Sequence, residues 1–211
     1  EEYLEAVCRI RDRGEAATLT ELARELKVAP PSALGMLKRM EEQKLVRYSR
    51  RTGVQLTARG RECAQTLRRR HRLAERMLTD LLGMPWARAH DIACRFEHVI
   101  DAEVEDYLQA ALHHPTTCPH GNPLDGAPHP ADRPLTALAA GERGRLCRIT
   151  DESGAVLEYL TTLQLHPGAL ITVCSVAPFD GPLLIEVESE RIPLSREMAA
   201  MLVVELAEDA A

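Results

Sequence analysis

Aromatic residues are scarce in this chain, with one Trp, four Tyr and two Phe among 211 residues. Its cores must therefore be built from Leu, Val, Ala and Ile, and a hydrophobic fraction of 45% supplies enough of these for one to three domains. Long apolar runs are missing too: none approaches the roughly 18 residues that a membrane span needs. The N-terminus is acidic and amphipathic, with no basic segment leading an apolar one. The expectation is a soluble, cytoplasmic protein with no membrane partner. Six Cys are present at 8, 63, 94, 118, 147 and 174, yet none forms a CxxC pair. A disulfide framework is not expected, and Cys8, Cys63, Cys147 and Cys174 lie in apolar strips that suggest core thiols. Also lacking are a Gly-rich phosphate loop, a nucleophile elbow and an HExxH pair, so no enzyme signature stands out.

Charge is present but unevenly spread. The net charge is −6, yet residues 1 to 80 sum to +6 and residues 81 to 211 to −12. A basic N-terminal third is the electrostatic footprint of nucleic-acid binding, although a solvated helix face would look the same.

The pattern along that third favours DNA. Tyr3, Leu4, Val7 and Ile10 recur at helical spacing, and Gly14 ends the run. A second helix is expected from a Thr20 N-cap through TELAREL, and KVAPP forms a turn. A third runs from Ser32 to about Lys44 with Ala33, Leu37 and Met40 inward. Short helix, turn and longer helix make a helix-turn-helix. LVRYSRR and VQLTARG, joined at Thr52–Gly53, then predict a basic β-hairpin, so the whole is a winged helix. Its candidate DNA contacts are Pro31, Ser32, Gly35, Met36, Lys38 and Arg39 on the third helix. Arg47, Arg50 and Arg51 join them from the wing.

Two long helices follow, about Ala58 to Leu82 and Ala87 to Leu112, separated by Gly83 and Pro85. Leu73, Met77, Leu81, Ile92, Val99 and Val104 on them suit pairing with a second copy. Residues 113 to 134, rich in Pro, Gly and His, resemble a linker in composition, and His113, His114, His120 and His129 are expected to be solvated there. GRLCRIT, ALITVCSV and LLIEVES then alternate with turn residues, with a helical piece near Val156 to Leu163, which predicts a small β-barrel. The expected fold is multidomain, mainly α with a β C-terminal module. It comprises a winged helix-turn-helix (1–65), a helical dimerisation domain (66–124), a linker (125–134) and an SH3-like β-barrel (135–211).

The stretch HDIACRFEHV carries His90, Cys94, Glu97 and His98 on a single helical stripe. Cys94, Glu97 and His98 can converge on one ion, and thiolate, carboxylate and imidazole together suit a first-row divalent metal. His71 and Glu75 form another i, i+4 pair on the preceding helix. A half-buried amphipathic face and a surface ion pair would give the same spacings.

RHRLAERMLTDLLG followed by HDIACRFEHVIDAEVEDYL resembles the metal-sensing segment of the diphtheria toxin repressor (DtxR/MntR) family of iron- and manganese-dependent repressors. EEYLEAV near the start, HGNPL at 120 to 124 and a C-terminal FeoA-like barrel (GERGRLCRI, LHPGALITV, IPLSREMA) extend the likeness over essentially the whole chain. The resemblance implies a primary, activating site of Glu2, Cys94, Glu97 and His98, and an ancillary site of His71, Glu75 and His90. It further implies Pro31 and Ser32 at operator-contacting positions, and Arg72 and Asn122 at an anion-binding pocket. The N-terminal ligand is Met in the family's iron sensors and a carboxylate in its manganese sensors, which commonly carry a further carboxylate in place of Cys94. The set here is a hybrid, so the implied cofactor is Mn2+ or Fe2+ at two sites per subunit, with Zn2+, Co2+, Ni2+ or Cd2+ able to substitute in vitro. Two departures stand out. Gly35 replaces a base-contacting Gln, and Val156 stands where the barrel supplies a Gln to the ancillary site, leaving Glu152 or Asp151 to substitute. The expected function is metal-dependent repression of metal-homeostasis genes by a homodimer on double-stranded operator DNA, with one or two dimers per operator. A metal-independent winged-helix adaptor is the alternative.

Overall fold

A computed structural model describes residues 2–12, 14–125 and 131–207. It divides into two compact units, Glu1–Arg70 and His71–Ala211, with the boundary inside a helix.

In the first unit, α1 (Glu2–Asp12) buries Leu4, Ala6, Val7 and Ile10, the periodic positions of the sequence. The N-cap of helix α2 (Leu19–Glu25) lies two residues before the expected one: it is Thr18, whose Oγ1 accepts from the Glu21 amide at 3.1 Å. Helix α3 (Pro30–Glu42) starts at the Pro pair rather than at Ser32, because a first-turn Pro lacks only an N–H that would be unpaired anyway. Ala33, Leu37 and Met40 point inward. Strands β1 (Val46–Ser49) and β2 (Gly53–Leu56) pair antiparallel from Val46↔Leu56 to Ser49↔Gly53. Gly53 is required where it stands, since its φ is +72° and a Cβ would lie 2.7 Å from the Ala17 carbonyl oxygen. That carbonyl accepts from the Val54 amide at 2.8 Å, which fastens the wing to the α1–α2 connection. The core is aliphatic, with Tyr3 and Tyr48 only at its edge. Cys8 packs against it, but Cys63 is exposed, contrary to expectation, because α4 turns Ala64 and Leu67 inward instead.

Helix α4 (Ala58–Arg76) ends in a π turn over Met77–Leu81 and stops at Gly83, whose φ is +65°. The expected helix from Ala87 to Leu112 is interrupted. Helix α5 (Trp86–Phe96) passes into a 3-10 turn at Glu97–Val99, Ile100 is extended, and α6 (Ala102–Ala111) starts afresh. Asp101 causes the restart by accepting from the Val104 amide at 2.9 Å as N-cap. Leu73 is fully buried rather than presented to a partner, and Met77 and Ile92 pack on the small core of Ala74, Leu78, Ala89, Ala93 and Ile100. Leu81, Val99 and Val104 remain exposed, at 51%, 70% and 40%.

The C-terminal module is antiparallel. Its strands are β3 (Arg133–Pro134), β4 (Arg143–Ile149), β5 (Leu170–Val176), β6 (Leu183–Val187), β7 (Glu190–Leu194) and β8 (Leu202–Leu206), in spatial order β3-β8-β4-β5-β6-β7. Helices α7 (Gly154–Thr162) and α8 (Arg196–Met201) complete it. Cys147 and Cys174 sit at register shifts in β4 and β5 and are half-buried. Ala87 belongs to the core of this module and Trp86 packs against it, so the first turn of α5 anchors the barrel to the helical part of the same unit. Residues 126–130 of the expected linker, His129 included, lie outside the described residues.

Candidate metal centre

Consecutive turns of α4 bring His71 and Glu75 onto one face, and consecutive turns of α5 do the same for His90 and Cys94, with Glu97 one step beyond. The two faces meet. His71 Nδ1 lies 2.6 Å from Glu97 Oε2, and its Nε2 lies 3.0 Å from Glu75 Oε1 and 3.1 Å from His90 Nδ1. His90 Nδ1 is also 3.0 Å from Glu75 Oε1. The ligand atoms of His71, His90 and Cys94 all lie within 4.8 Å of one another. Cys94 and Glu97 of the expected primary set thus share one network with His71, Glu75 and His90 of the expected ancillary set, joined at His71. His98 is at its rim, 3.5 Å from Glu97 Oε1 and more exposed.

A second group is built on the same carboxylate. Glu75, Cys118, His120 and Glu152 place one ligand atom each within 4.8 Å of the others. His120 Nδ1 is 3.4 Å from Glu75 Oε1 and 3.5 Å from Glu152 Oε1, while Cys118 Sγ is 3.5 Å from Glu152 Oε1. Of the two acids that could replace the barrel's missing Gln, it is Glu152 that reaches in; its Oε2 also lies 3.7 Å from His90 Nδ1.

Cys118 and His120 escaped the sequence reading, which expected a solvated linker here; both are fully buried. The loop is ordered by β4. Beyond Leu146, β4 is no longer covered by β5, and the loop takes that edge: the Ile149 amide donates to the His120 carbonyl at 3.0 Å, and Asn122 Nδ2 donates to the Ile149 carbonyl at 2.8 Å. Gly121 has φ +84°, and a Cβ there would fall 1.9 Å from the Cys147 carbonyl oxygen. The available signal was the CPHGN string itself, a thiol and an imidazole two residues apart ahead of a turn glycine.

Charge alternates through the network. Burial pulls the His71 pKa down, but hydrogen bonds with Cys94, Glu75 and Glu97 outweigh it and hold the pKa well above its ordinary value. Burial pushes Glu75 up, and the surrounding His120, His71 and His90 bring it well below. His120 is raised on the same balance, with burial opposed by Cys118, Glu152 and Glu75. Burial pushes the Cys118 thiol up to about 12, helped by the Glu75 charge, while Glu152 is lowered by His120 against the penalty of its own burial.

These residues fit a divalent cation. Glu75 Oε2 is buried and has no hydrogen-bond partner among the described residues, while imidazoles crowd its other oxygen. A buried carboxylate oxygen facing no donor is costly unless a positive charge is supplied. The donor sets, two imidazoles with a thiolate and two carboxylates with a thiolate and an imidazole, suit first-row ions better than Ca2+ or Mg2+.

The remaining candidates separate by role. Glu2 is exposed in the first turn of α1. Pro31, Ser32, Gly35, Met36, Lys38 and Arg39 are all exposed on α3, opposite its buried stripe, and Arg47, Arg50 and Arg51 are exposed on the wing. Arg72 donates to the Pro123 carbonyl, and Asn122 gives its amide group to the Ile149 carbonyl and, at 2.6 Å, to Glu152 Oε1. Both side chains therefore help to hold the loop. His113 and His114 are exposed, as expected.

Three family models match along the chain. Residues 1–54 match the family model "Iron dependent repressor, N-terminal DNA binding domain", residues 57–125 the model "Iron dependent repressor, metal binding and dimerisation domain", and residues 133–206 the FeoA domain. The iron-dependent repressor IdeR of Mycobacterium tuberculosis H37Rv is 33% identical over 221 residues, covering 97% of this chain and 96% of the relative. A manganese-dependent transcriptional repressor in complex with manganese superposes with a TM-score of 0.86 at 28% identity, over 98% of this chain and 99% of the other. ScaR with bound Zn2+ gives 0.81 at 25% identity, over 97% of each chain.

Proposed function

This chain belongs to the iron-dependent repressor family, and from that premise we propose that it is a homodimeric repressor of metal-homeostasis genes, activated by Mn2+ or Fe2+. Glu2, Cys94, Glu97 and His98 form the proposed activating ligand set. His71, Glu75 and His90, extended here by Cys118, His120 and Glu152, form the ancillary one. The observation that carries the metal reading is Glu75, fully buried with one oxygen lacking a donor and the other shared among imidazoles.

A divalent cation bound in these sets supplies positive charge and directional bonds to thiolate, imidazole and carboxylate. The chain does the rest. α4 and α5 hold His71, Glu75, His90 and Cys94 in place, the loop fastened to β4 brings Cys118 and His120, and the barrel presents Glu152 just ahead of α7. Glu2 extends the activating set to α1, so the populations of winged-helix poses depend on whether that set is satisfied. Operator half-sites one duplex turn or a multiple apart accept a single separation of the two recognition helices, which makes a restricted pose a binding-competent one. The proposed parts are 1–65 for DNA, 66–124 for metal and dimerisation, 125–134 as linker and 135–211 as barrel. Two dimers on each operator are part of the proposal, to be tested by the mass of the protein–DNA complex.

The test is a fluorescence-anisotropy titration on promoter fragments with chelator, then Mn(II), then anaerobic Fe(II). Binding only with metal is expected, and the ion effective at the lower free concentration identifies the activator. Equal binding in chelator would sink the reading and leave a metal-independent adaptor.

A further inference from the structure

The His120 ring is fully buried, and its two nitrogens face different kinds of group. Nδ1 points at the candidate ligands, 3.4 Å from Glu75 Oε1, 3.5 Å from Glu152 Oε1 and 3.8 Å from Cys118 Sγ. Nε2 lies 3.1 Å from the Trp86 carbonyl oxygen. A carbonyl only accepts, so Nε2 is the donor and carries a proton. His71 differs, because both of its nitrogens face side chains of the network. For His120 the backbone of α5 decides which nitrogen is left for a ligand bond, the task that outer partners perform for metal-bound imidazoles.

Trp86 is placed to hold that carbonyl. Its indole packs against the barrel core, next to Ala87, which belongs to that core. The indole and imidazole centroids are 5.5 Å apart at an interplanar angle of 40°, so the side chain flanks the same ring that donates to its own carbonyl. On the other side, the His120 carbonyl accepts from the Ile149 amide of β4 at 3.0 Å. The imidazole is thus fixed between the first turn of α5 and the barrel. Turning the ring by half a revolution would bring Cδ2 to the carboxylates and take the donor away from the Trp86 carbonyl. Trp86 supplies none of the candidate ligand atoms, so whatever it does for an ion runs through His120.

We propose that Trp86 is a positioning residue of the metal centre: packed between the barrel core and His120, it holds the imidazole with Nε2–H on its own carbonyl and Nδ1 presented to the ion. This rests on the reading of Glu75, Cys118, His120 and Glu152 as ligands of a divalent cation. Because the indole belongs to α5 and its anchor to the barrel, the aim of this ligand depends on how the two pack.

The test uses the full chain, isotopically labelled at histidine and loaded with Zn(II), with His120→Gln to identify the His120 signals. Proton–nitrogen spectra distinguish a protonated ring nitrogen from a metal-bound one. Wild type should show His120 protonated at Nε2 and metal-bound at Nδ1. Trp86→Phe, which keeps a ring against the barrel, should retain that pattern with little change in Zn(II) affinity. Trp86→Leu, which keeps apolar bulk without a ring, should lose the single pattern and bind one Zn(II) equivalent about 10- to 100-fold more weakly, while the other equivalent keeps its wild-type affinity. Equal weakening of both equivalents would make Trp86 a structural residue only and overturn the proposal, as would a wild-type spectrum and affinity in Trp86→Leu. Zn(II) on Nε2 in the wild type overturns it whatever the variants do, including a variant that fails to fold. A wild type in which neither nitrogen of His120 binds Zn(II) overturns the ligand reading beneath it as well.

Discussion

Glu75 and the imidazoles around it set the behaviour of the centre at the scale of single residues. Its lowered pKa means that it contributes stability above its ordinary value of 4.5, which is lost as the pH falls through the folded value. His71, with its pKa raised, contributes below its ordinary value of 6.5, and that contribution is lost as the pH rises through the folded value. In metal-free protein the two act together between about pH 4.5 and 6.5, so melting curves in chelator should show the network's contribution greatest in that interval. Metal loading has the opposite sense, because imidazoles and thiols must lose their protons to become ligands. The rise in Tm on adding Mn(II) should therefore grow with pH and be accompanied by proton release in calorimetry. Substituting Glu97 with Gln removes a carboxylate from the His71 side and should weaken metal-dependent operator binding about 10- to 100-fold with little change in chelator. A variant that keeps wild-type metal dependence would exclude Glu97 from the activating set.

The loop over residues 116–124 shows how an element can be illegible until its neighbours are known. Its Pro, Gly and His content is that of a linker, and no hydrophobic period runs through it. Its order comes from β4, far away in sequence, through the Ile149 amide and carbonyl and the close approach of Gly121 to Cys147. Gly121→Ala should cost about 2–4 kcal/mol, since it combines a positive φ with a backbone clash. The readouts are a lower Tm and loss of one metal equivalent in equilibrium dialysis; a variant with unchanged metal content would detach the loop from the site. The break between α5 and α6 was hidden for a different reason. HDIACRFEHVIDAEVEDYL keeps a helical pattern throughout, and only the cap formed by Asp101 marks the restart. The helical stripe was sound through Cys94, and Glu97 was reached by a 3-10 turn rather than another α turn.

At the scale of the whole molecule, residues 57–125 match a metal binding and dimerisation domain, and the proposed repressor acts as two copies. Val99, Tyr107, Leu82 and Leu81 are each more than half exposed on the helical part of the second unit, which makes them the candidate contacts for a second copy. Val99→Glu combined with Tyr107→Glu should shift the protein to monomer in sedimentation and weaken operator binding at least about 100-fold, because the two half-sites are no longer engaged through one linked molecule. A double variant that sediments as a dimer would place the contact elsewhere. No helix among the described residues is long and apolar enough to cross a membrane.

Local patterns were enough for the winged helix, the two helices that carry the candidate ligands and the β character of the C-terminal module. Helical spacing, capping residues, turn glycines and strand alternation are written over a few neighbouring residues. The same holds for His71 with Glu75 and for His90 with Cys94, each pair one turn apart on its own helix. Which pairs face each other lay beyond local pattern: His71 shared between Glu97 and Glu75, Glu75 completed by Cys118, His120 and Glu152, and Asn122 turned to hold a loop. Apart from the His71–Glu75 pair, those contacts join residues 26 or more positions apart. They exist because α4, α5 and the barrel pack into one unit whose buried carboxylate must find its partners there or in a bound cation.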